Sequence, residues 1–306
     1  MTLFAPISEG RDDCKAGEAP ARSRASLSRV NTTAASAPSD APLASTRIGE
    51  GPRRVAFLHG LMGRGRNFTG PAKELGDDFT VELIDLPDHG ASPWTDRVDY
   101  REIADRVAAH LRAGLAADGP VHLLGHSMGG KVAMVLALRH PDLVDRLIVE
   151  DISPRLSPQA TDEFVHLLGT MLRMDLDAYD SRAEADAAMA EHVHDARVRG
   201  FLLQNLRRTG GHFAWQPNVA MLFEHLREIG SFPDPVVPED PERVFDHPVL
   251  WLAGAESDYV QDEDVPRMKE LFPRVVRVTV RDAGHWLHAD QPEAFVSAVR
   301  TFLTAD

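Results

Sequence analysis

A serine lies between closely spaced glycines in the stretch VHLLGHSMGGK, residues 121–131, directly after an apolar run. The pattern Gly-x-Ser-x-Gly runs from Gly125 to Gly129 with Ser127 at its centre. In a strand-to-helix turn, this nucleophile elbow projects the serine hydroxyl from the carboxyl edge of a sheet. Three fixed positions recur by chance in roughly one chain of this length in ten, given ordinary glycine and serine frequencies. The nucleophile hypothesis therefore depends on the partners and elements around the serine.

A serine hydroxyl is a poor nucleophile at neutral pH, so it requires a general base and a partner that holds the tautomer of that base. The stretch RDAGHWLHADQP, residues 281–292, supplies His285 on a loop between the last predicted strand and the last predicted helix. His288 is the competitor, but its approach to that helix favours a packing or capping role. His59 and His126 are interpreted as lining or structural residues. The predicted base is His285.

Two aspartates compete for the role of the acid that orients the histidine. Asp151 ends the predicted strand RLIVED, and Asp258 follows the predicted strand VLWLAG. Both strands end at the carboxyl edge of the sheet, where open α/β folds place their sites. An acid after the later strand usually stands three residues beyond the strand-ending glycine, and this chain has Ser257 there. Because Asp258 is one residue late, the spacing favours Asp151, with Asp258 as the alternative.

Two backbone N–H groups are predicted to stabilise the negative oxygen that forms during acyl transfer. One belongs to Met128, directly after the serine, and the other to Leu61 in HGLMG, after an earlier predicted strand. Loss of one such donor typically costs ~10²–10³ in rate. Since the donors are backbone groups, both residues are also compatible with an ordinary apolar role.

The elements that must position these residues alternate between short apolar runs and longer helical patterns from residue 54 onwards. The runs RVAFLHG, FTVELIDLP, VHLLG, RLIVEDIS, HPVLWLAG and VVRVTV indicate strands. The stretches NFTGPAKELG, YREIADRVAAHLRAGL and GGKVAMVLALRHP between them indicate helices. Successive βα units of this kind predict the α/β class, with a mostly parallel central sheet flanked by helices.

The alternation stops between residues 153 and 246, where helical stretches follow one another without intervening strands and a proline-rich segment ends the series. We predict a helical cap here, inserted into a core formed by residues 46–152 and 247–306. Most of its apolar residues should bury the cap against the core. The remainder should face the cleft and form an apolar acyl pocket of limited depth.

Residues 1–45 are rich in Ala, Ser, Thr and Pro and show no periodicity that could bury a face, which predicts a disordered tail. An organelle transit peptide is the alternative for this segment, although its acidic residues argue against that interpretation. The sequence shows neither a secretory h-region nor an apolar stretch of the roughly 20 residues that span a bilayer. We therefore expect neither secretion nor membrane insertion.

The composition excludes several classes of function. The formal net charge of -14 argues against a nucleic-acid surface, which needs clustered Lys and Arg. The only cysteine, Cys14, cannot form an intrachain disulfide, which fits a reducing compartment such as the cytoplasm. With 306 residues, of which 43% are hydrophobic, the chain can bury a sizeable core.

Seven stretches occur in a characteristic order between about residue 54 and residue 304: FLHGLMG, DLPDHGASP, GHSMGGKVAM, EDISP, FLLQNL, FDHPVLWLAGAESDYV and AGHWLHADQPEAF. With them the chain resembles the α/β-hydrolase superfamily, and within it the small serine esterases of the bacterial YbfF and eukaryotic ABHD11 type. GHSMGG alone is common across the superfamily, whereas EDISP together with G-x-x-S-x-Y-V is far more discriminating. The resemblance implies a triad acid at the D-I-x-P position, which is Asp151. The chain departs from it at Ala255, where relatives often have glycine, and at Asp258.

These residues together predict a serine esterase that cleaves carboxylic esters of short to medium acyl chains through an acyl-enzyme, without metal or cofactor. Its partner would be a small acyl ester, and the chain would be a monomer or a weak homo-oligomer. A thioesterase or another acyl hydrolase with the same triad is the first alternative, because the fold and the triad do not fix the leaving group. A ligand-sensing protein without catalysis is the second.

Overall fold

The structure, a computed structural model, describes residues 41–156 and 158–305. Of the predicted tail, residues 1–40 lie outside the described residues, whereas Leu43 is buried and Ser45 begins a strand. Within the part of the chain that is described, no helix is both long and apolar enough to cross a bilayer. The first strand thus begins at the last residue of the predicted tail.

Seven of the described strands form one sheet, and two form a separate hairpin. In chain order the strands are β1 (Ser45–Ile48), β2 (Arg53–Leu58), β3 (Phe79–Ile84), β4 (Val121–His126), β5 (Val144–Glu150), β6 (Leu206–Thr209), β7 (His212–Trp215), β8 (Val249–Gly254) and β9 (Val275–Val280). The sheet order is β1-β3-β2-β4-β5-β8-β9. Strand β1 runs antiparallel to β3, and all other neighbouring strands are parallel. The predicted α/β class, with a mostly parallel sheet, is confirmed.

Helices connect the strands and cover the sheet. The described α-helices are α1 (Thr69–Leu75), α2 (Tyr100–Arg112), α3 (Met128–Arg139), α4 (Pro158–Arg173), α5 (Arg182–Ala190), α6 (Ala196–Leu203), α7 (Val219–Glu224), α8 (Leu226–Gly230), α9 (Val265–Leu271), α10 (Leu287–Asp290) and α11 (Pro292–Thr304). Short 3-10 turns occupy Gly65–Phe68, Pro141–Leu143, Leu176–Ala178 and Asp262–Asp264.

The central strands are apolar on both faces because helices cover both sides of the sheet. In β2, Ala56 and Leu58 join one buried cluster, which includes side chains of α2 and α3. Val55 and Phe57 point the other way, into a second cluster with side chains of α1 and α11. This alternation explains why the strand appears in the sequence as an unbroken apolar run. The sheet and these helices fix the strand ends that carry the site.

Residues 153–246, which we call the cap, lie between β5 and β8 and contain α4 to α8. The sequence pattern predicted helices alone here, but the structure adds the hairpin β6–β7. Its turn is Gly210-Gly211, and both glycines have positive φ, 61° and 93°. A two-residue turn of this kind suits glycine and matches the twist of a hairpin. The Gly-Gly pair in RRTGGHFAW was therefore an available signal for the two strands.

One buried lysine joins the cap to the core. Lys131 lies in α3, is 2% exposed and donates hydrogen bonds from Nζ to the carbonyl oxygens of Gly230 (2.6 Å) and Ser231 (2.8 Å). The hydroxyl of Tyr100 donates to the carbonyl oxygen of Ile229 at 2.6 Å. These bonds satisfy carbonyls at the end of α8, which the helix itself leaves without partners. The carboxyl end of α8 is thereby fixed to α2 and α3.

Candidate active site

Ser127 occupies the turn between β4 and α3. Its backbone has φ 53° and ψ −120°, a conformation that non-glycine residues rarely adopt, and its N–H donates to the carbonyl oxygen of Glu150 at 3.0 Å. Backbone strain of this kind persists only where the surrounding structure holds it, and it is common at active sites. The residue is 7% exposed. Ser127 therefore has the position that the nucleophile-elbow pattern predicts.

The flanking glycines are required by close backbone contacts. A Cβ atom on Gly125 would lie 2.2 Å from the carbonyl oxygen of Gly129. A Cβ atom on Gly129 would lie 2.4 Å from the carbonyl oxygen of Leu58, in the neighbouring strand. Both distances are far below van der Waals contact, so any side chain would push α3 away from the sheet. The Gly-x-Ser-x-Gly pattern is thus a packing requirement of this turn.

Asp151 and His285 are hydrogen bonded to each other at the carboxyl edge of the sheet. His285 Nδ1 donates to Asp151 Oδ2 at 2.8 Å, which leaves Nε2 with the free lone pair of a general base. Asp151 is fully buried, and its other oxygen, Oδ1, accepts from the N–H of Gly254 at 2.8 Å. It has φ 51°, so the backbone turns sharply directly after β5. The carboxylate is therefore held in one orientation towards the imidazole.

The alternative acid, Asp258, does not take part in this pair. Its side chain is exposed, and its carbonyl oxygen accepts from Gln261 Nε2 at 3.0 Å. Ser257, at the position where an acid after β8 would be expected, instead donates its hydroxyl to Asp151 Oδ2. The structure thus brings Asp151 to His285 and places Ser257 as a hydrogen-bond donor beside them. The sequence contained Ser257 at the right spacing but gave no sign of this contact.

Ser127 and His285 line the same cavity, of about 250 Å³. Within the described residues, no hydrogen bond joins the Ser127 hydroxyl to the imidazole. Catalytic hydrogen bonds are often long or poorly aligned without substrate and tighten in the complex. The structure thus brings Ser127 and His285 to one cavity without a direct hydrogen bond between them.

The N–H groups of Leu61 and Met128 have no acceptor within the described part of the chain. Both residues line a cavity beside Ser127 and are nearly buried, at 4% and 5% exposure. Buried backbone N–H groups are almost always paired, so two unpaired donors next to a strained serine indicate an anion site. The structure brings both predicted donors to the cavity that Ser127 lines.

The loop that carries Leu61 is held by two buried histidines. The N–H of Leu86 donates to His59 Nε2 at 3.0 Å, and the N–H of Met62 donates to His89 Nε2 at 3.1 Å. Burial lowers the pKa of both imidazoles, so each stays neutral and can accept these bonds. His59 is therefore a structural residue, as the sequence suggested, and His89 has the same role.

The cap also contacts this loop. Asn205 Nδ2 donates to the carbonyl oxygen of Met62 at 2.7 Å, one residue after Leu61. Arg64 Nη2 donates to the carbonyl oxygen of Gln204 at 2.7 Å. Two hydrogen bonds between the end of α6 and the loop thus fix the cap relative to the backbone amide of Leu61.

Behind His285 lies a second group of polar side chains. His126 Nε2 donates to the carbonyl oxygen of His285 at 2.8 Å, and burial lowers the pKa of His126 to about 3, so this imidazole stays neutral. His288 donates from both its N–H and its Nδ1 to Glu150 Oε1, at 3.1 and 2.8 Å. Burial alone would raise the pKa of Glu150, but the adjacent His288 and the two hydrogen bonds that it donates to this carboxylate lower it. Sequence reasoning missed Glu150, which ends β5 next to Asp151.

The ligand atoms of His126, Glu150 and His288 lie within 4.8 Å of one another, a grouping compatible with a metal ion. One nitrogen of each imidazole is already engaged, His126 Nε2 with the His285 carbonyl oxygen and His288 Nδ1 with the Glu150 carboxylate. The group is better suited to anchoring the loop of His285 on both sides, as the predicted capping role of His288 implies.

Aromatic side chains from the cap and the core line the larger cavity. The ring of Tyr259 stacks on His285 with centroids 3.8 Å apart and an interplanar angle of 16°. Trp286 packs against Phe201 of α6 at 5.2 Å. Arg197 forms an ion pair with Asp290 across the cavity wall, at 2.5 Å. The wall is therefore mainly apolar, with one charged pair between cap and core.

The chain is similar to known proteins over most of its described length. Residues 55–298 match the alpha/beta hydrolase family. The sn-1-specific diacylglycerol lipase ABHD11 of Mus musculus is 36% identical over 256 residues, which cover 81% of this chain and 80% of that protein. Esterase YbfF of Escherichia coli (strain K12) is 29% identical over 252 residues, which cover 81% and 92%. The solved structure of a marine microorganism esterase has a TM-score of 0.80 and 33% identity, covering 85% of this chain and 99% of that one.

The family match covers most of the described chain, from within β2 onwards, and includes the turn at Ser127 and the loop of His285. The matches cover most of the length of each relative, so the similarity concerns the whole fold and not an isolated motif. The resemblance inferred from FLHGLMG, GHSMGG and EDISP is confirmed. This chain belongs to the alpha/beta hydrolase family.

Proposed function

We propose that the protein is a serine esterase in which Ser127 is the nucleophile, His285 the general base and Asp151 the residue that orients it. The observation that carries the proposal is the Asp151–His285 hydrogen bond, which leaves Nε2 as an acceptor beside the cavity that Ser127 lines. The names of the relatives support the reaction type, since they include an esterase and a lipase. The unpaired N–H groups of Leu61 and Met128 would bind the oxyanion.

The reaction proceeds in two halves through an acyl-enzyme. Ser127 Oγ attacks the acyl carbon while His285 Nε2 takes its proton, and the carbonyl oxygen becomes the anion that the two amides hold. Collapse breaks the bond to the alcohol oxygen, which receives the proton from His285. A water molecule then attacks the acyl carbon by the same route, releases the carboxylic acid and restores Ser127. The chain's own residues supply every proton transfer.

The substrates we propose are carboxylic esters with short to medium acyl chains. The cavity of about 250 Å³ is lined largely by apolar and aromatic side chains, which suits a small organic ester better than a polymer. Glycerides belong among the esters to be tested, because the mouse relative is named a diacylglycerol lipase.

The experiment is labelling with a fluorophosphonate probe, combined with release of p-nitrophenol from p-nitrophenyl butyrate. We expect one probe per chain and steady hydrolysis, because the probe reacts only with an activated serine. Ser127→Ala should abolish both, while Ser257→Ala, which removes a different hydroxyl from the same site, should keep the label. A folded wild-type chain that takes up no probe would exclude the esterase and favour a binding protein on the same fold.

A further inference from the structure

Two cavities are lined by Ser127. The larger, of about 250 Å³, includes His285, and the smaller, of about 30 Å³, includes Met128. Leu61, Ser127, Phe164 and Tyr259 line both. His285 lines only the larger cavity, and Met128 only the smaller. Because the two cavities differ in this way, the alcohol and the acyl chain of an ester can each be assigned to one of them.

The chemistry of the acyl transfer fixes the direction of the substrate. The oxygen of the leaving alcohol must lie near His285 Nε2 because that atom donates its proton. The oxyanion must point to the amides of Leu61 and Met128. The acyl chain takes the remaining direction, away from His285 and past Met128. The alcohol therefore occupies the larger cavity, and the acyl chain enters the smaller one.

The smaller cavity is apolar and has fixed walls. Its lining side chains include Met128, Ile152, Leu226 and Ile229. Lys131 also borders the smaller cavity, but its Nζ is engaged in hydrogen bonds to carbonyl oxygens of the cap and not directed to an acyl group.

The residues that line the smaller cavity are fixed by packing and by a hydrogen bond. A Cβ atom on Gly130 would lie 2.6 Å from Ile152 Cγ2, so Ile152 already packs directly on α3. The carbonyl oxygen of Ile229 accepts from Tyr100, which ties the opposite wall to α2. A long acyl chain would have to move one of these buried elements.

The larger cavity offers the alcohol more space and more varied chemistry. Phe201 and Trp286 form an aromatic wall, and the Arg197 guanidinium lies 5.1 Å from the Trp286 ring centre. The ion pair of Arg197 with Asp290 adds a polar rim. A bulky alcohol that is apolar in part fits this lining.

We infer that the enzyme prefers esters of a bulky alcohol with a short acyl chain, of roughly two or three carbons beyond the carbonyl, since a water-sized group needs about 10–15 Å³ of such space. This inference rests on the proposed serine esterase and narrows its substrate class. It also sets the chain apart from a lipase that accepts long acyl groups.

The first test is a series of p-nitrophenyl esters from acetate to decanoate, with the full chain as the enzyme. We expect kcat/KM to be highest near propionate or butyrate and to fall at least about tenfold by octanoate, because the extra methylenes find no buried space. A value that stays level or rises towards octanoate would overturn the assignment of the acyl chain to the smaller cavity.

Two variants that each remove three carbons provide the second test. Ile229→Ala enlarges the smaller cavity and should raise the octanoate-to-butyrate ratio of kcat/KM about tenfold. Leu167→Ala enlarges only the larger cavity and should change that ratio less than about twofold. With butyrate esters of ethanol, benzyl alcohol and naphthylmethanol, the preference should shift in Leu167→Ala and not in Ile229→Ala. An equal effect of both variants on the acyl series would contradict the inference.

Folding and catalysis are checked separately in these experiments. Circular dichroism and fluorophosphonate labelling establish that each variant is folded and has a reactive Ser127, and Ile229→Val serves as a milder change. If the wild type takes up no probe and hydrolyses no ester, the proposed function fails. If it hydrolyses esters but shows no short-chain preference, only the cavity assignment fails.

Discussion

At the scale of single residues, the candidate site depends on three hydrogen-bond donors around Asp151. Its carboxylate accepts from Gly254, Ser257 and His285, and no part of it is exposed. A carboxylate that accepts from three donors is held in one direction. The imidazole of His285 is therefore presented to the cavity as one tautomer.

We predict that Asp151→Asn lowers kcat by about 10⁴-fold, because an asparagine side chain can no longer enforce the productive tautomer. Asp258→Asn is the matched control, since it makes the same change in an exposed carboxylate of the nearby loop, and it should alter kcat less than about twofold. Steady-state kinetics on p-nitrophenyl butyrate compare the two. A larger loss in Asp258→Asn would transfer the role of the acid to that residue.

Sequence reasoning reached the candidate nucleophile, base and donors because each follows a strand in a recognisable local pattern. The glycines around Ser127 are visible in the sequence, and they are dictated by distances below 3 Å. Ser257, Glu150 and Tyr259 could not be found in this way. Their contacts join elements that are distant in the chain, so no local spacing reports them.

At the scale of elements, the sheet and its covering helices were predictable, whereas two small elements were not. Strand β1 has only four residues, three of them exposed, so it shows no apolar run. The hairpin β6–β7 lies within helical surroundings, and only its Gly-Gly turn distinguishes it. Tertiary pairing, which sequence periodicity does not report, determines both.

The contact of α3 with the cap leads to a prediction about stability and pH. Burial, together with the charge of Arg155, lowers the pKa of Lys131 to about 7. The unfolded chain retains this proton until its ordinary pKa, 10.5, so between these values the unfolded state binds more protons than the folded state. The contribution of Lys131 to the free energy of unfolding therefore increases as the pH rises from 7, by at most about 1.4 kcal/mol per pH unit.

Lys131→Met, which keeps the length of the side chain and removes the charge, should lack this increase. Urea unfolding at pH 7, 8 and 9 gives the free energy of unfolding of both proteins. We expect the difference, wild type minus variant, to increase with pH. Other ionisable groups are common to the two proteins and cancel in the comparison. A constant difference across this range would show that the lysine keeps its ordinary pKa in the folded protein.

At the scale of the whole molecule, every residue of the candidate site and every strand of the sheet lies within residues 41–305. We predict that removal of residues 1–40 leaves kcat/KM within about twofold of the full chain. Removal of residues 1–48 should lower Tm, because it also deletes β1. That strand pairs with β3, and its Ser45 donates to Glu82 at 2.7 Å. Kinetics and thermal melting of the two truncated proteins test both statements.

The hydrogen bonds between Asn205 and Met62, and between Arg64 and Gln204, have a thermodynamic consequence. They connect the end of α6, which lines the larger cavity, to the loop that carries the Leu61 amide, because Met62 directly follows Leu61. A ligand that orders α6 should therefore also favour one position of the Leu61 amide. By linkage, an anion bound to this amide should stabilise the same position of α6, and the coupling free energy is the same in both directions. Under the proposed function, affinity for the alcohol half of an ester and stabilisation of the charged intermediate would be linked through these hydrogen bonds.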